Sequence, residues 1–215
     1  MLYLDSADRD QLAPLLATGL FEGVTTNPLI LQRAGLGPAD LPDLVQWSRG
    51  QGCRRFFAQA TGASLAEIRA SAAAVAALGD DVVVKLVCTL EGLTVAKELT
   101  AAGRKVLITA VYHPAQMLPA VAAGAHFIAP YIGRATDAGR DGLALVRAMA
   151  QVADGTPRIL AASLRSVDQL AEAAAAGAHD ATLSTEIANA LLDDGLTRSA
   201  AAEFEAATAT TASAV

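Results

Sequence analysis

Short runs of β-forming, mostly apolar residues alternate along the chain with longer amphipathic stretches rich in alanine and leucine. The short runs are typical of buried strands, and the longer stretches are typical of helices that pack on one face. The pattern therefore predicts eight strand-then-helix units. The predicted strands are 2–5, 23–27, 55–59, the run around Lys85, 106–112, 126–131, 158–163 and 181–184. The predicted helices are 7–17, 28–49, 64–78, 91–102, 114–123, 142–152, 167–176 and 186–192, with a polar loop at 133–142.

Eight such units of similar length predict an α/β fold, a single (β/α)8 TIM barrel, in which each helix covers the strand that precedes it. An open, doubly wound parallel sheet is the alternative. That fold usually carries a glycine-rich phosphate loop after its first strand, whereas this chain continues Leu4-Asp-Ser-Ala-Asp8. We expect one barrel domain over residues 1–205 and a flexible, small and polar C-terminal tail over 206–215.

Composition narrows the class of protein. Hydrophobic residues make up 53% of the chain and charged residues 18%, which indicates a folded globular protein rather than a disordered one. Apolar runs fall short of the roughly 20 residues of a membrane span, and the start of the chain has no basic segment with a cleavage signal, so we expect a cytoplasmic protein without a membrane partner. The net charge of −6 argues against nucleic acid. Cys53 and Cys88 offer neither a disulfide framework nor metal-ligand spacing.

A lysine lies in the middle of the most apolar strand, Val82-Val-Val-Lys-Leu-Val87. Burial disfavours a charged amine and lowers its pKa, which leaves a free amine near neutral pH. A free amine in an apolar pocket is what Schiff-base chemistry needs. The alternative is that Lys85 reaches the surface or pairs with a carboxylate in the core.

Polar residues lie at or near the ends of most of the predicted strands. The active sites of TIM barrels are built at this carboxyl end of the strands, so we expect these side chains to surround Lys85. Each alone has a structural explanation: Asp5 could cap a helix, and Tyr131 could be a core aromatic with a bonded hydroxyl. Together they favour a reactive site. They are Asp5, Thr25, Asn27, Gln59, Thr109, Tyr131, Ser163 and Ser184.

Two arginines follow late strands of the predicted barrel. Arg134 comes after the sixth strand and Arg165 after the seventh. Loops at these places often bind phosphate, and the guanidinium group suits phosphate oxygens. A solvated pair of surface charges is the alternative.

Several motifs resemble those of the transaldolase family of class I, Schiff-base aldolases. They are Gly23-Val-Thr-Thr-Asn-Pro28, Val82-Val-Val-Lys85, Glu91-Gly-Leu93 and Ala161-Ala-Ser163, and the resemblance extends from Leu2 to about Phe204. Transaldolases in this family typically carry Glu in place of Gln59 and Phe in place of Tyr131. The chain therefore resembles the small fructose-6-phosphate aldolase branch more than the transaldolase branch.

The resemblance implies a role for each candidate residue. Lys85 would attack a ketone donor, and Tyr131 would act as the acid/base group through a water held by Gln59 and Thr109. Asp5 would bind substrate hydroxyls and assist proton transfer. The remaining roles would be orientation of the donor by Thr25 and Asn27, and binding of the phosphate of an aldehyde acceptor by Arg134, Ser163 and Arg165.

The resemblance also implies that no metal or organic cofactor is needed, and that the chain forms a homo-oligomer, a pentamer or a pair of pentamers. Alternatives are a transaldolase, which transfers the three-carbon unit between sugar phosphates, and a non-catalytic barrel that binds sugar phosphates. The chain departs from its relatives at Leu29, usually a small hydroxyl residue, and at Val87 and Ser184, usually prolines. It also lacks the tryptophan often found after the position of Phe204.

Overall fold

The computed structural model describes residues 1–152 and 155–212, and in it eight strands form a closed parallel barrel. The strands are β1 Leu2–Asp5, β2 Gly23–Thr25, β3 Arg55–Gln59, β4 Val82–Val87, β5 Val106–Val111, β6 Phe127–Pro130, β7 Arg158–Ala161 and β8 Asp180–Leu183. Each strand pairs with the next, and β8 pairs with β1, where Tyr3 lies opposite Thr182. The prediction of a (β/α)8 barrel is confirmed.

Helices follow every strand and cover the outside of the barrel. They are α1 Arg9–Leu16, α2 Pro28–Arg33, α3 Leu41–Gly50, α4 Leu65–Ala76, α5 Leu90–Ala101, α6 Met117–Ala122, α7 Ile132–Asp137, α8 Gly142–Val152, α9 Val167–Ala175, α10 Thr185–Leu192 and α11 Gly195–Ala212. Several of them begin at a residue whose side chain caps the helix. Asn27, for example, accepts hydrogen bonds from the backbone of Leu29 and Ile30, and Pro28 occupies the first turn.

The helical boundaries differ from the prediction in three places. The single helix predicted over 28–49 is two helices, because Gly35, Gly37 and Pro38 interrupt it before a 3₁₀ turn at Pro38–Asp40. The predicted polar loop at 133–142 contains α7, whose Ile132 and Ala135 are buried. Residues 206–212 of the predicted tail continue α11, and the rest of that tail, 213–215, lies outside the described residues.

The interior of the barrel is filled with apolar side chains. Tyr3 packs edge-to-face on Phe57, and Phe57 packs in the same way on Phe127, with centroid separations of 5.0 and 5.3 Å. Side chains alternate between the two faces of a strand. The inward-facing residue two positions after each apolar one therefore lies nearer the carboxyl end of the barrel. The cluster consists of Tyr3, Phe57, Val83, Leu107, Phe127, Ala129, Leu160 and Ala162.

Candidate active site

A cavity of about 290 Å³ opens at the carboxyl ends of the strands, directly above the apolar filling. Nine of the ten residues to which the family resemblance assigns a role line it. They are Asp5, Thr25, Asn27, Lys85, Thr109, Tyr131, Arg134, Ser163 and Arg165. The barrel therefore brings together side chains that are far apart in the sequence, as the predicted topology required.

Lys85 forms the floor of the cavity from β4. It is 5% exposed and lies two positions after Val83, which belongs to the apolar filling of the barrel. Its Nζ donates a hydrogen bond of 2.7 Å to the carbonyl oxygen of Thr26. Burial lowers the pKa of Lys85, and the nearby charge of Asp5 only partly offsets this effect. The amine is thus oriented by one acceptor and is held closer to its neutral, nucleophilic form than a surface lysine.

Asp5 ends β1 and faces the lysine within a hydroxyl network. Thr25 Oγ1 donates to Asp5 Oδ1 over 2.5 Å. Thr25 Oγ1 also lies 2.6 Å from Thr182 Oγ1. Burial raises the pKa of Asp5, while Lys85 and the hydrogen bond from Thr25 act in the opposite direction. A carboxyl with a raised pKa can exchange protons nearer to neutral pH than an exposed aspartate.

Tyr131 and Thr109 form the opposite wall. Thr109 Oγ1 donates to the hydroxyl of Tyr131 over 3.1 Å, so the phenol hydrogen is left free to reach into the cavity. A register shift between Ile108 and Val111, with Ala110 at φ 57°, bends β5 beside this pair. Burial raises the pKa of Tyr131, which keeps the phenol protonated and able to act as an acid.

Gln59 is the predicted residue that does not line the cavity. It lines a neighbouring apolar pocket of about 510 Å³ between α2, α3 and α4, which shares Leu29 with the cavity. Thr109 bonds to Tyr131 directly, and the water predicted between Gln59 and Thr109 stays a prediction. Leu29 itself is 49% exposed at the border of the two spaces.

The two predicted arginines lie at one end of the cavity. The guanidinium of Arg134 lies 5.0 Å from the centroid of the Tyr131 ring, and its backbone N–H donates to Ser163 Oγ over 3.3 Å. Arg165 forms an ion pair of 2.7 Å with Asp137. Both arginines are exposed, which keeps them open to an anion from solvent.

Close backbone packing shapes this end. The N–H of Gly133 donates to the carbonyl oxygen of Ser163 over 2.9 Å, and a Cβ at position 133 would collide with that oxygen. Ser163 itself adopts φ 60°, a left-handed conformation that is uncommon outside glycine. The start of α7 is thus held against the residues that follow β7. The backbone N–H groups of Gly133 and Arg134 lie next to the Ser163 hydroxyl at this end of the cavity.

Three further polar residues line the cavity. Thr182 lies on β8 and was not predicted. The prediction named Ser184 at the end of this strand but not Thr182, which is two positions earlier. Ser184 lines the cavity and also caps α10 through the N–H of Ile187. Arg33 at the end of α2 was missed because a single helix was predicted there, and no local signal pointed its side chain toward the barrel.

Neither a metal-binding cluster nor a membrane-spanning helix is found in the described part of the chain. Within residues 1–152 and 155–212, no three histidine, cysteine, aspartate or glutamate side chains are grouped as a metal ion would require. None of the helices in those same ranges combines the length and apolar character needed to cross a membrane.

A structure-based comparison supports the fold. Thiamine phosphate pyrophosphorylase from Pyrococcus furiosus superposes with a TM-score of 0.62 at 18% identity, over 88% of this chain and 92% of that one. At this level of identity the similarity concerns the barrel alone.

Sequence comparisons identify the family. The family model described as transaldolase/fructose-6-phosphate aldolase matches residues 2–215. A probable transaldolase of Phenylobacterium zucineum is 35% identical over 206 residues, with 94% of each chain covered. A probable transaldolase of Chelativorans sp. is 33% identical over 199 residues, covering 91% of this chain and 90% of its own. The chain belongs to the transaldolase/fructose-6-phosphate aldolase family, and it is an enzyme of that family.

Proposed function

We propose that the protein is a class I aldolase that cleaves and forms a carbon–carbon bond through a Schiff base on Lys85. The observation that carries the proposal is the buried Lys85 amine, which shares one cavity with the Tyr131 hydroxyl and the Asp5 carboxyl. A barrel that only binds sugar phosphates has no need of a desolvated amine, and such an amine is costly to bury. Fructose 6-phosphate is the proposed substrate, by the resemblance to the aldolase branch.

In the proposed cleavage, the Lys85 amine adds to the ketone carbon and water is lost, which gives an iminium. A base removes the proton of the hydroxyl two carbons away, and the bond between that hydroxyl-bearing carbon and the carbon next to the iminium breaks. The electron pair moves into the iminium to give an enamine, and glyceraldehyde 3-phosphate leaves. Protonation of the enamine and addition of water release dihydroxyacetone and the free amine. No step requires an electron acceptor other than the iminium itself.

The residues around Lys85 fit the proton transfers in this scheme. Tyr131 receives a hydrogen bond from Thr109 and keeps its own hydrogen for the substrate or a water. Asp5, next to Lys85 and bonded to Thr25, can bind donor hydroxyls and accept a proton. Asn27 uses its side-chain oxygen to cap α2, so its amide N–H₂ remains available to orient the donor.

The same family also contains transferases, and the relatives described above are named probable transaldolases. We favour the aldolase because Tyr131 supplies a hydroxyl where transaldolases have Phe, and Gln59 supplies an amide where they have Glu. In an aldolase the enamine is protonated and released, whereas in a transaldolase it is passed to a second sugar phosphate. Transfer is the second candidate function.

Borohydride trapping tests the Schiff base. The protein is reduced in the presence of dihydroxyacetone or fructose 6-phosphate, digested and mapped by mass spectrometry. We expect a covalent adduct on Lys85 and none on Lys97 or Lys105, which complete the set of lysines in the chain and serve as internal controls. Absence of an adduct from folded protein, after several ketone donors, would overturn the proposal and would favour the non-catalytic barrel.

Replacement of Gln59 tests the choice of branch. We expect Gln59→Glu to increase transfer of the three-carbon unit to a second sugar phosphate relative to its release as dihydroxyacetone. Gln32→Glu is a matched control, since Gln32 lines the same apolar pocket and the substitution adds the same charge. Identical partition of the donor in wild type and Gln59→Glu would remove the basis for the aldolase assignment.

Arg134 tests the phosphate site. We expect Arg134→Ala to raise KM for phosphorylated acceptors by about tenfold or more, since a charge-assisted hydrogen bond contributes about 1.5–3 kcal/mol. Unphosphorylated aldehydes should be nearly unaffected. Arg147→Ala on α8 is the control, because Arg147 does not line the cavity. Equal effects on both classes of acceptor would remove Arg134 from the phosphate site.

The proposed homo-oligomer has a candidate contact in α11. Leu196 and Phe204 on this helix are 83% and 71% exposed, and a second copy of the chain packed on α11 would cover both. Light scattering after gel filtration should show an oligomer for the wild type. A Leu196→Asp, Phe204→Asp variant should give a smaller species; an unchanged mass would exclude α11 from the contact.

A further inference from the structure

Three oxygen atoms from three strands form a continuous chain in the wall of the cavity. Asp5 Oδ1 on β1, Thr25 Oγ1 on β2 and Thr182 Oγ1 on β8 are linked by contacts of 2.5 and 2.6 Å. Thr25 and Thr182 are only 1% and 4% exposed, so bulk water has little access to either hydroxyl. β1 pairs with both β2 and β8, which holds the three oxygens in register.

The number of hydrogens fixes the direction of these bonds. Each threonine hydroxyl has one hydrogen to donate, and an ionised carboxylate has none. When Asp5 is ionised, Thr25 gives its hydrogen to Asp5, and the contact between the hydroxyls must then use the hydrogen of Thr182. When Asp5 is protonated, the carboxyl hydrogen can point to Thr25, and Thr25 can donate to Thr182. The donor-to-acceptor direction of the hydrogen bonds among Asp5, Thr25 and Thr182 therefore depends on whether Asp5 is ionised.

We propose that Thr182 is a positioning residue that acts through Thr25 to set the orientation and the ionisation of Asp5. A donor behind Thr25 polarises its hydroxyl and strengthens the bond that it makes to the carboxylate. It also holds Thr25 in the rotamer that points to Asp5. The role of Asp5 in substrate binding and proton transfer rests on the proposed function, whereas the link from Thr182 to Asp5 rests on the geometry alone.

Other charges act on Asp5 and are unchanged when Thr182 is replaced. Lys85 on β4 and the exposed Arg134 and Arg33 on α7 and α2 favour the ionised form. Tyr131 faces the carboxyl from the end of β6. Asp8 and Glu186, from the segments after β1 and β8, line an adjoining pocket together with Asp5. A substitution at position 182 that removes only the hydroxyl therefore isolates the contribution of the hydroxyl chain.

Thr182→Val and Thr182→Ser test the proposal, since valine keeps the shape of threonine without its hydroxyl and serine keeps the hydroxyl. The carboxyl carbon of Asp5 is titrated by NMR in protein labelled with ¹³C-aspartate, with Asp5→Asn to assign the signal. Removal of one supporting hydrogen bond should raise the pKa of Asp5 by about half to one unit in Thr182→Val. Thr182→Ser should restore the wild-type value. Ser48→Ala, which removes a buried hydroxyl from α3, is the control and should leave the titration unchanged.

Kinetics give the second readout. In Thr182→Val we expect kcat for cleavage to fall by about three- to thirtyfold, the acid limb of its pH profile to move to higher pH, and KM to change little. Thr182→Ser should recover most of the rate. The proposal would be overturned if the Asp5 titrations of wild type and Thr182→Val were superimposable. It would also be overturned if Thr182→Val shifted the pKa of Asp5 and Thr182→Ser failed to restore the wild-type value. A failed Schiff-base trap in the wild type would instead overturn the proposed function and leave the titration as the test of the hydroxyl chain.

Discussion

Two aspartates lie on neighbouring strands at opposite ends of the barrel, Asp180 buried and Asp5 partly buried, and their charged partners differ. Asp180 begins β8 at the amino end, and both of its oxygens accept hydrogen bonds from Arg158, at 2.7 and 2.9 Å. Asp5 ends β1 at the carboxyl end and accepts from a threonine hydroxyl, with a lysine nearby that is itself desolvated. Asp180 is thus paired with two cationic groups, Arg158 and the amino group of Met1, whereas Asp5 forms no such ion pair with any of the described residues.

The difference appears in their ionisation. Burial alone would raise the pKa of Asp180, but Arg158 and the amino group of Met1, which lies 2.9 Å from Asp180 Oδ1, together outweigh it and hold the pKa below its usual value. Burial also raises the pKa of Asp5, and there the opposing contributions of Lys85 and Thr25 are too small to reverse it. The amino end of the barrel thus uses a charge pair for structure, while the carboxyl end keeps its polar groups incompletely compensated and available for a substrate.

Replacement of Lys85 should produce the largest effect on activity. We expect Lys85→Met to reduce cleavage by about a thousandfold or more, because no other group can form the iminium. Lys105→Met is the control at the amino end, and its rate should stay close to that of the wild type. The measurement is the steady-state rate of aldehyde release. A Lys85→Met enzyme with more than a few per cent of the wild-type rate would contradict a Schiff-base mechanism.

Removal of the Tyr131 hydroxyl should come next. Tyr131→Phe is expected to lower kcat by about 10²- to 10⁴-fold, since it deletes the proposed acid/base group and leaves Thr109 without its acceptor. Tyr112→Phe is matched, because the two tyrosine rings pack edge-to-face at 5.8 Å and only Tyr131 lines the cavity. Borohydride trapping on Lys85 should persist in both variants. Equal losses of rate would indicate a packing defect rather than lost acid/base chemistry.

The two aspartates should then give opposite results for stability. Asp180→Asn removes the charge that Arg158 binds, and we expect a loss of about 1–3 kcal/mol in the free energy of unfolding with little change in activity. Arg158 is 43% exposed, so water can replace part of the interaction. Asp5→Asn should leave the stability at neutral pH unchanged or slightly higher, and should lower activity strongly. Urea unfolding followed by circular dichroism measures both, and a destabilised Asp5→Asn would contradict this contrast.

The dependence of stability on pH gives the smallest of these effects. The pKa of Asp180 is lowered in the folded state, so its contribution is present above the unfolded value of about 3.9 and is lost as pH falls through the folded value. The pKa of Asp5 is raised, so its contribution is complete below about 3.9 and is lost as pH rises through the folded value. The stability difference between wild type and Asp180→Asn should therefore shrink on acidification. Relative to Asp5→Asn, wild type should gain stability in a higher range, as the pH falls from above the folded pKa of Asp5 to about 3.9. Parallel curves for all three proteins would refute the assignment.

Strand periodicity explains how much of the site was predictable. Lys85, Thr109 and Tyr131 each follow an apolar, inward-facing residue by two positions, so the barrel topology alone places them at one end. The rule does not reach Thr182, because the residue two positions before it is the charged Asp180 rather than an apolar one. Its inward orientation follows instead from Ser184, two positions later on the same face of β8.

Other parts of the site depend on contacts that no local pattern encodes. α7 forms because Ile132 and Ala135 find apolar surface to cover, although the segment that follows is polar. Arg33 lines the cavity from the last turn of α2, and no local pattern indicates that its side chain faces the barrel. The position of Gln59 along β3 does not determine which of the two adjoining pockets its side chain lines.

The pairing of β8 with β1 has a consequence for how the enzyme is made. The hydroxyl chain joins a carboxyl supplied by residue 5 to a threonine supplied by residue 182, so it is completed only when the last strand closes the barrel. During synthesis on the ribosome, a nascent chain that already contains Lys85 still lacks this support for Asp5. Full activity is therefore expected only after β8 pairs with β1, and the onset of full activity during cell-free translation would report completion of the barrel.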